Sequence, residues 1–159
     1  MKVPIDSMSF EYLCQVNVKK LSPDASLPKR GSAFAAGYDL CAHIDVDEFA
    51  IEPGATVKIG TGIAMSIPHG YFGAVCARSG LATKKGLRPA NCIGVIDEDY
   101  TGEIIVALHN DSEEYQTITN GERIAQIIIM PYLPIEFIET DSLDRTERGD
   151  GGFGSSGAM

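Results

Sequence analysis

The four cysteines of this chain form no CxxC pair, and none stands at metal-like spacing from His43, His69 or His109. Cys14, Cys41, Cys76 and Cys92 each lie in an apolar or alternating stretch, so they read as reduced core thiols. No apolar run approaches the ~20 residues of a membrane span. The GxxxxGK[ST] spacing of a P-loop is missing. Basic residues are scarce, 13 against 22 acidic ones, for a formal net charge of −9. That sign repels nucleic-acid backbones and acidic membranes, so neither is expected as a general partner. An anionic ligand would need a local cluster of arginine, lysine and backbone N–H groups. Met1 to Phe10 carries Lys2, Pro4 and Asp6 without a continuous apolar core, and reads as a loose extension rather than a signal peptide. The expected location is the cytoplasm.

Helical periodicity is nearly absent as well; one short helix is expected near Ser79 to Thr83. What the sequence does hold is alternation. With 159 residues, 44% of them apolar, the chain makes one globular domain. That length suffices to bury roughly two thirds of the surface exposed by the unfolded chain. Cys14, Val16 and Val18 alternate with polar neighbours, as do Val57 and Ile59, and Ile104, Val106 and Leu108. Tyr71 to Cys76 and the apolar run Ile124 to Met130 read as further strands, and Ile135, Phe137 and Ile138 as one more. Turns are marked at Glu52-Pro53-Gly54, Pro68-His69-Gly70 and Asn120-Gly121. Nine or ten short strands with turns between them predict an all-β sandwich, jelly roll or barrel. The core spans residues 1–140, and a polar, glycine-rich tail covers residues 141–159.

Asn91 to Ile105 reads as strand, acidic turn, strand, with Asp97, Glu98 and Asp99 at the turn and Tyr100 beside them. Its tip is either a solvated hairpin end or a carboxylate presented to a ligand held between two strands. Arg78-Ser79-Gly80 offers a forked cation, a hydroxyl and an open backbone N–H, the parts of a phosphate seat. Gln126, polar within an apolar strand, is either a satisfied core amide or a ligand contact. Asp39 is either a buried turn acceptor or an outer-sphere partner of a metal, and Arg123 beside Glu122 reads as an ion-pair residue. In the tail, Phe153 stands among glycines with Arg148 before it and Ser155 and Ser156 after it: a stacking plane, a cation and hydroxyls.

Five segments carry a resemblance. They are Ala36-Gly37-Tyr38-Asp39-Leu40, Ala77-Arg78-Ser79-Gly80-Leu81-Ala82 and Gly94-Val95-Ile96-Asp97-Glu98-Asp99-Tyr100, then Gly121-Glu122-Arg123-Ile124-Ala125-Gln126 and Arg148 to Gly157. In that order they resemble the signature segments of the homotrimeric dUTPases. The resemblance implies a distorted β jelly roll of the β-clip type with a flexible C-terminal tail, forming a threefold trimer with shared active sites. The implied reaction is dUTP plus water to dUMP plus pyrophosphate, with Mg²⁺. It limits uracil incorporation into DNA and supplies dUMP for thymidylate synthesis.

By the same resemblance Asp97 is the general base and Tyr100 packs under the deoxyribose, leaving no room for a 2′-hydroxyl. Asn91 and the main chain of Gly94, Val95 and Ile96, facing Ile105, resemble the uracil reader. Arg78, Ser79, Gly80 and Gln126 match phosphate contacts. Asp39 matches a residue acting through metal-bound water. Arg148 matches a terminal-phosphate contact, Phe153 the uracil-stacking aromatic, and Gly154, Ser155 and Ser156 the tail's phosphate grip. Physics agrees on the parts: a carboxylate beside a polyphosphate is a better base, and arginines stabilise charge on a leaving pyrophosphate. Fixed backbone donors and acceptors would reject cytosine. Asp150 departs from the family, standing where a small hydroxyl or neutral residue is usual. A dCTP deaminase of the same fold and a catalytically silent nucleotide-gated interaction protein are the alternatives. Asp97, Tyr100 and Phe153 argue against both.

Overall fold

The computed structural model describes residues 14–152. Chain order runs β1 (Asn17–Lys20), β2 (Lys29–Arg30), β3 (Tyr38–Cys41), β4 (Glu48–Ile51), β5 (Thr56–Ser66) and β6 (Tyr71–Cys76). A single helix, α1 (Ser79–Lys85), follows, then β7 (Leu87–Pro89), β8 (Ile93–Ile96), β9 (Glu103–Asn110), β10 (Gln116–Thr119) and β11 (Arg123–Pro131). The strands form a four-stranded sheet β1-β5-β9-β7, a five-stranded sheet β2-β3-β11-β6-β8 and a small β10-β4 ribbon. Every ladder is antiparallel. This is the expected all-β, distorted jelly-roll architecture.

The alternation in the sequence becomes the core directly. In β9, Ile104, Val106 and Leu108 are at most 2% exposed. They meet Ile59 and Ile63 of β5, with Leu40 of β3, Val75 of β6, and Ile124 and Ile127 of β11 arriving from the other sheet. One contiguous core therefore joins the two sheets, the arrangement that antiparallel layers with one apolar face require. Among the described residues the buried polar side chains are those of Thr61 and Asn110, and the Asn110 amide is fully satisfied. Its Nδ2 donates to Ile51 O and Glu114 O, and its Oδ1 accepts from the Ser112 N–H and hydroxyl.

Several expectations need correction. Ile135, Phe137 and Ile138 form no strand: Tyr132 N–H donates to Gly70 O, and beyond it Leu133, Ile135, Phe137, Ile138 and Leu143 run exposed without a ladder. The cysteines are free but not core thiols, since Cys14 and Cys92 are exposed and Cys41 and Cys76 only part-buried. Strands β2, β4, β7 and β10 are additional. β7 ends in Pro89 and lies at a sheet edge, where a missing N–H is tolerated. The helix arrives where expected and ends on Gly86, whose φ of 66° is the left-handed C-terminal position glycine favours.

A bulge between Gly60 and Ala64 bends β5 where it passes β9. Gly62 has φ +66° there, and a Cβ would stand 2.7 Å from His43 Cδ2 and 2.8 Å from the Ala25 methyl. Both conformation and space thus demand glycine. Gly62→Ala should lower stability by more than about 1 kcal/mol, read as an earlier midpoint in urea unfolding; an unchanged midpoint would contradict this account of the bulge.

Candidate active site

Asp39 lies in β3 directly opposite Gln126 of β11, which in turn pairs with Cys76 at the end of β6. The chain leaves β6 through Ala77 and Arg78 into α1, so three neighbouring strands deliver their residues to one place. A cavity of about 170 Å³ opens there, lined by Gly31, Ala35, Gly37, Asp39, Arg78, Ser79, Gly80, Arg123 and Gln126. Asp39 is its hub. Its Oδ1 accepts from Arg78 Nε at 2.7 Å and its Oδ2 from Arg123 Nη1 at 3.0 Å. Arg78 Nη1 also donates to Arg123 O at 3.1 Å.

One carboxylate thus holds two guanidinium groups, leaving an excess positive charge at a mouth where Arg123 is more than half exposed. Gln126 Nε2 donates to Ala77 O at 2.9 Å. A Cβ on Gly37 would run into the Gln126 amide oxygen, so the glycine is what admits this side chain. Helix α1 carries no side-chain cap, which leaves the N–H groups of Ser79 and Gly80 outside the helical ladder on residues that line the cavity.

Of the residues singled out in the sequence, Asp39, Arg78, Ser79, Gly80 and Gln126 come together here. Arg123, an ion-pair residue by its sequence setting, also lines the cavity. Strand alternation hides this, because positions three apart should face opposite sides of a sheet. The register of β11 against β3 shifts between Arg123 and Ala125, and the irregularity turns both Arg123 and Gln126 toward the cavity.

Asn91, Gly94, Val95, Ile96, Asp97, Tyr100 and Ile105 do not line that cavity. They form a second arrangement. The two arms of this segment do not pair with each other. β8 hydrogen-bonds to β6, with Gly94 opposite Val75 and Ile96 opposite Gly73, whereas Ile105 of β9 sits opposite Gly60 of β5. β8 is the last strand of its sheet, and β7 meets β9 only at Leu108 to Asn110. The outer edges of β8 and of early β9 therefore carry main-chain groups without a strand partner among the described residues. At the tip, Tyr100 N–H donates to Asp97 O at 3.1 Å and its phenol to Glu103 O at 2.8 Å. The Tyr100 ring lies so close to Gly102 that a Cβ there would be 2.6 Å from the phenol oxygen. Glu103 Oε1 in turn accepts from Gly62 N–H at 2.8 Å, fixing the second arm to the bulge of β5. Asn91 stands at the base of the first arm, its Nδ2 3.4 Å from where a Gly94 Cβ would be. The adjacent Cys92, at φ 60°, has the only positive φ among the described non-glycine residues.

Glu98, next to the tip, accepts from His69 and from the Gly70 N–H, and these two bonds hold its carboxyl below the usual carboxylate range. Arg148 lies on an exposed turn, with its Nε donating to Gly151 O at 2.8 Å, and Asp150 is exposed beside it. Phe153, Gly154, Ser155 and Ser156 lie outside the described residues.

A family model described as dUTPase matches residues 23–157 of the chain. The chain belongs to the dUTPase family. A deoxyuridine 5′-triphosphate nucleotidohydrolase of Desulfitobacterium hafniense is 52% identical over 132 residues, covering 82% of this chain and 87% of that protein. The deoxyuridine 5′-triphosphate nucleotidohydrolase of Escherichia phage T5 is 45% identical over 148 residues, covering 90% and 99%. Among solved structures, a variant dUTPase of Staphylococcus bacteriophage 80alpha with dUpNHpp superimposes with a TM-score of 0.77 at 30% identity, covering 90% of this chain and 98% of that one. A dUTPase variant from phage phi11 of S. aureus, described for its coordination of a structural Mg(II) ion, gives 0.70 at 26% identity over 80% and 97%.

The shared carboxylate is the cavity's most exacting contact. Asp39→Ala leaves two guanidinium groups facing each other without it and should cost about 1.5–3 kcal/mol. Denaturant unfolding checks this, and wild-type stability would mean the bridge contributes nothing net.

Proposed function

We propose that this dUTPase-family chain hydrolyses dUTP to dUMP and pyrophosphate, with Asp97 taking the proton of the attacking water. The observation that carries the reading is the divergence of β8 and β9, which leaves two free main-chain edges with Asp97 and Tyr100 at their junction. Uracil is a small plane with donors and acceptors along one edge, suited to such main-chain groups. Asn91, Gly94, Val95, Ile96 and Ile105 would hold it, and Tyr100 would pack beneath the deoxyribose. The water oxygen attacks the α-phosphorus, the bond from that phosphorus to the bridging oxygen breaks, and pyrophosphate leaves. Arg78, with Ser79, Gly80, Gln126 and Arg123, would hold the phosphates; Arg148 and the tail residues Phe153, Gly154, Ser155 and Ser156 would close over the nucleotide.

Magnesium fits this donor set as an ion carried by the substrate. The described residues contain no group of three or more His, Cys, Asp and Glu able to cage a metal, and Mg²⁺ characteristically keeps waters and binds phosphates. Asp39, whose oxygens each have a lone pair beyond their guanidinium bond, would hold it through water. When bound, such an ion neutralises charge on the polyphosphate.

We read the assembly as a homotrimer with shared sites. The phosphate cavity and the base-reading edges have no lining residue in common within one chain. The arm bearing Leu133, Ile135, Phe137, Ile138 and Leu143 is exposed throughout, at 70–91% for these side chains. A groove of about 790 Å³ lined by Val16, Val18, Leu27, Tyr38, Met65 and Ile129 is open as well. Each large apolar side chain gains about 1.5–3 kcal/mol on full burial, which favours covering both surfaces with other copies. Residues 1–140 would then form the trimer core and residues 141–159 the tail. No helix of the described residues is long and apolar enough to cross a membrane; the net charge of −9 separately disfavours nucleic acid and acidic membranes as partners.

Pyrophosphate release from dUTP, dCTP, dTTP and UTP tests the reading. Turnover should be confined to dUTP and fall at least about 100-fold in Asp97→Asn; ammonia release from dCTP, or equal turnover of UTP, would overturn it. Deleting residues 148–159 should lower kcat severely while light scattering still reports a trimer. Phe137→Asp should instead weaken the trimer. Near-full activity after the deletion would remove the tail from the site.

A further inference from the structure

The turn that carries Asp97 is exposed, and its two arms run into different sheets, so something must fix it in space. Within the turn there is one backbone bond, Tyr100 N–H to Asp97 O. The second arm is pinned through Glu103 to Gly62. On the first side the contact is made by Glu98. Its Oε2 accepts from Gly70 N–H at 2.6 Å and its Oε1 lies 2.8 Å from His69 Nδ1. Gly70, at φ +82°, closes the turn between β5 and β6, where only a glycine presents its N–H without strain. Gly70 O also accepts from the Tyr132 N–H at 3.0 Å, at the point where β11 ends and the exposed arm begins. The Tyr132 phenol faces the same carboxylate, and burial, followed by Glu98, raises its pKa.

We propose that Glu98 is a positioning residue for Asp97. It fastens the reactive turn to the β5–β6 turn and, through Gly70, to the root of the arm. A backbone N–H bonded to a carboxylate is a charge-assisted contact of fixed geometry, whereas the His69 side chain is 94% exposed and adds a solvated partner. The Gly70 bond therefore carries the positional constraint. Asp97 and Asp99 flank Glu98 in the chain and would be repelled by it, so charge alone does not bring the three together. The inference rests on the reading of Asp97 as the base. A reacting carboxylate misplaced by about 1 Å can lose about 100-fold in rate.

The test uses the full chain, with steady-state dUTP hydrolysis, thermal unfolding and light scattering on Glu98→Ala, Glu98→Gln, Asp97→Asn and the double variant Glu98→Ala/Asp97→Asn. Glu98→Ala should lower kcat by about 10- to 100-fold with KM within about twofold, and with the trimer intact. Glu98→Gln, whose amide oxygen can still accept from Gly70, should recover most of that loss. In the Asp97→Asn background Glu98→Ala should lower the residual rate no further, because its effect passes through Asp97. Three results would overturn the inference: an unchanged kcat in Glu98→Ala, equal losses in the alanine and glutamine variants, or a further loss in the double variant. Wild-type turnover by Asp97→Asn would instead sink the base assignment, and the positioning role with it.

Discussion

The decisive constraint in this structure is that the two strands flanking Asp97 belong to different sheets. β6 claims β8 and β5 claims β9, so the segment cannot close on itself as a ladder. An ordinary hairpin would consume its own donors and acceptors. Here the divergence leaves them over, at the cost of a turn that must be held from outside. The bulge of β5, the glycine at 62 and the carboxylates of Glu103 and Glu98 all serve that requirement. Core packing supports it one level down: Ile104 and Val106 anchor early β9 beneath the exposed Ile105.

A second economy concerns charge. With 22 acidic residues, the chain cannot present a broad positive surface to an anion. It concentrates two arginines on a single aspartate instead. Arg78 and Arg123 would repel each other if left bare, and flexible side chains would lose entropy on meeting a phosphate. Asp39 removes both difficulties by holding the guanidinium groups in advance, since only one charge of the pair is neutralised. Pre-set cations of this kind need little reorganisation when an anion arrives.

Much of the fold was legible because alternation in β9 maps onto burial, while the apolar run of β11 marks a strand buried between neighbours. Part of the cavity lining was legible too, since Arg78-Ser79-Gly80 is continuous in the chain. Arg123 was not, because a register shift defeats the two-residue period on which the reading depended. The strands β4 and β10 bury one residue each, Ile51 and Ile118, leaving no pattern to read. Ile135, Phe137 and Ile138 failed in the opposite direction: their apolar spacing is real, but none of the described strands pairs with them. Periodicity reports that a surface must be covered; it does not say by what.

That last point bears on how the parts of the site relate. Within one chain the guanidinium pair lines a cavity that none of the residues of the β8–β9 segment shares, and the apolar arm departs from the end of β11 beside Glu98. A monomer with those features would expose large apolar side chains and hold half-sites apart. The proposed trimer would answer both at once, because a copy covering the arm would lie near the turn that carries Asp97. The Gly70 carbonyl, bonded to Tyr132 at the arm's root, and the Gly70 N–H, bonded to Glu98, belong to one residue. A single glycine thus joins the root of the arm to the turn that carries Asp97.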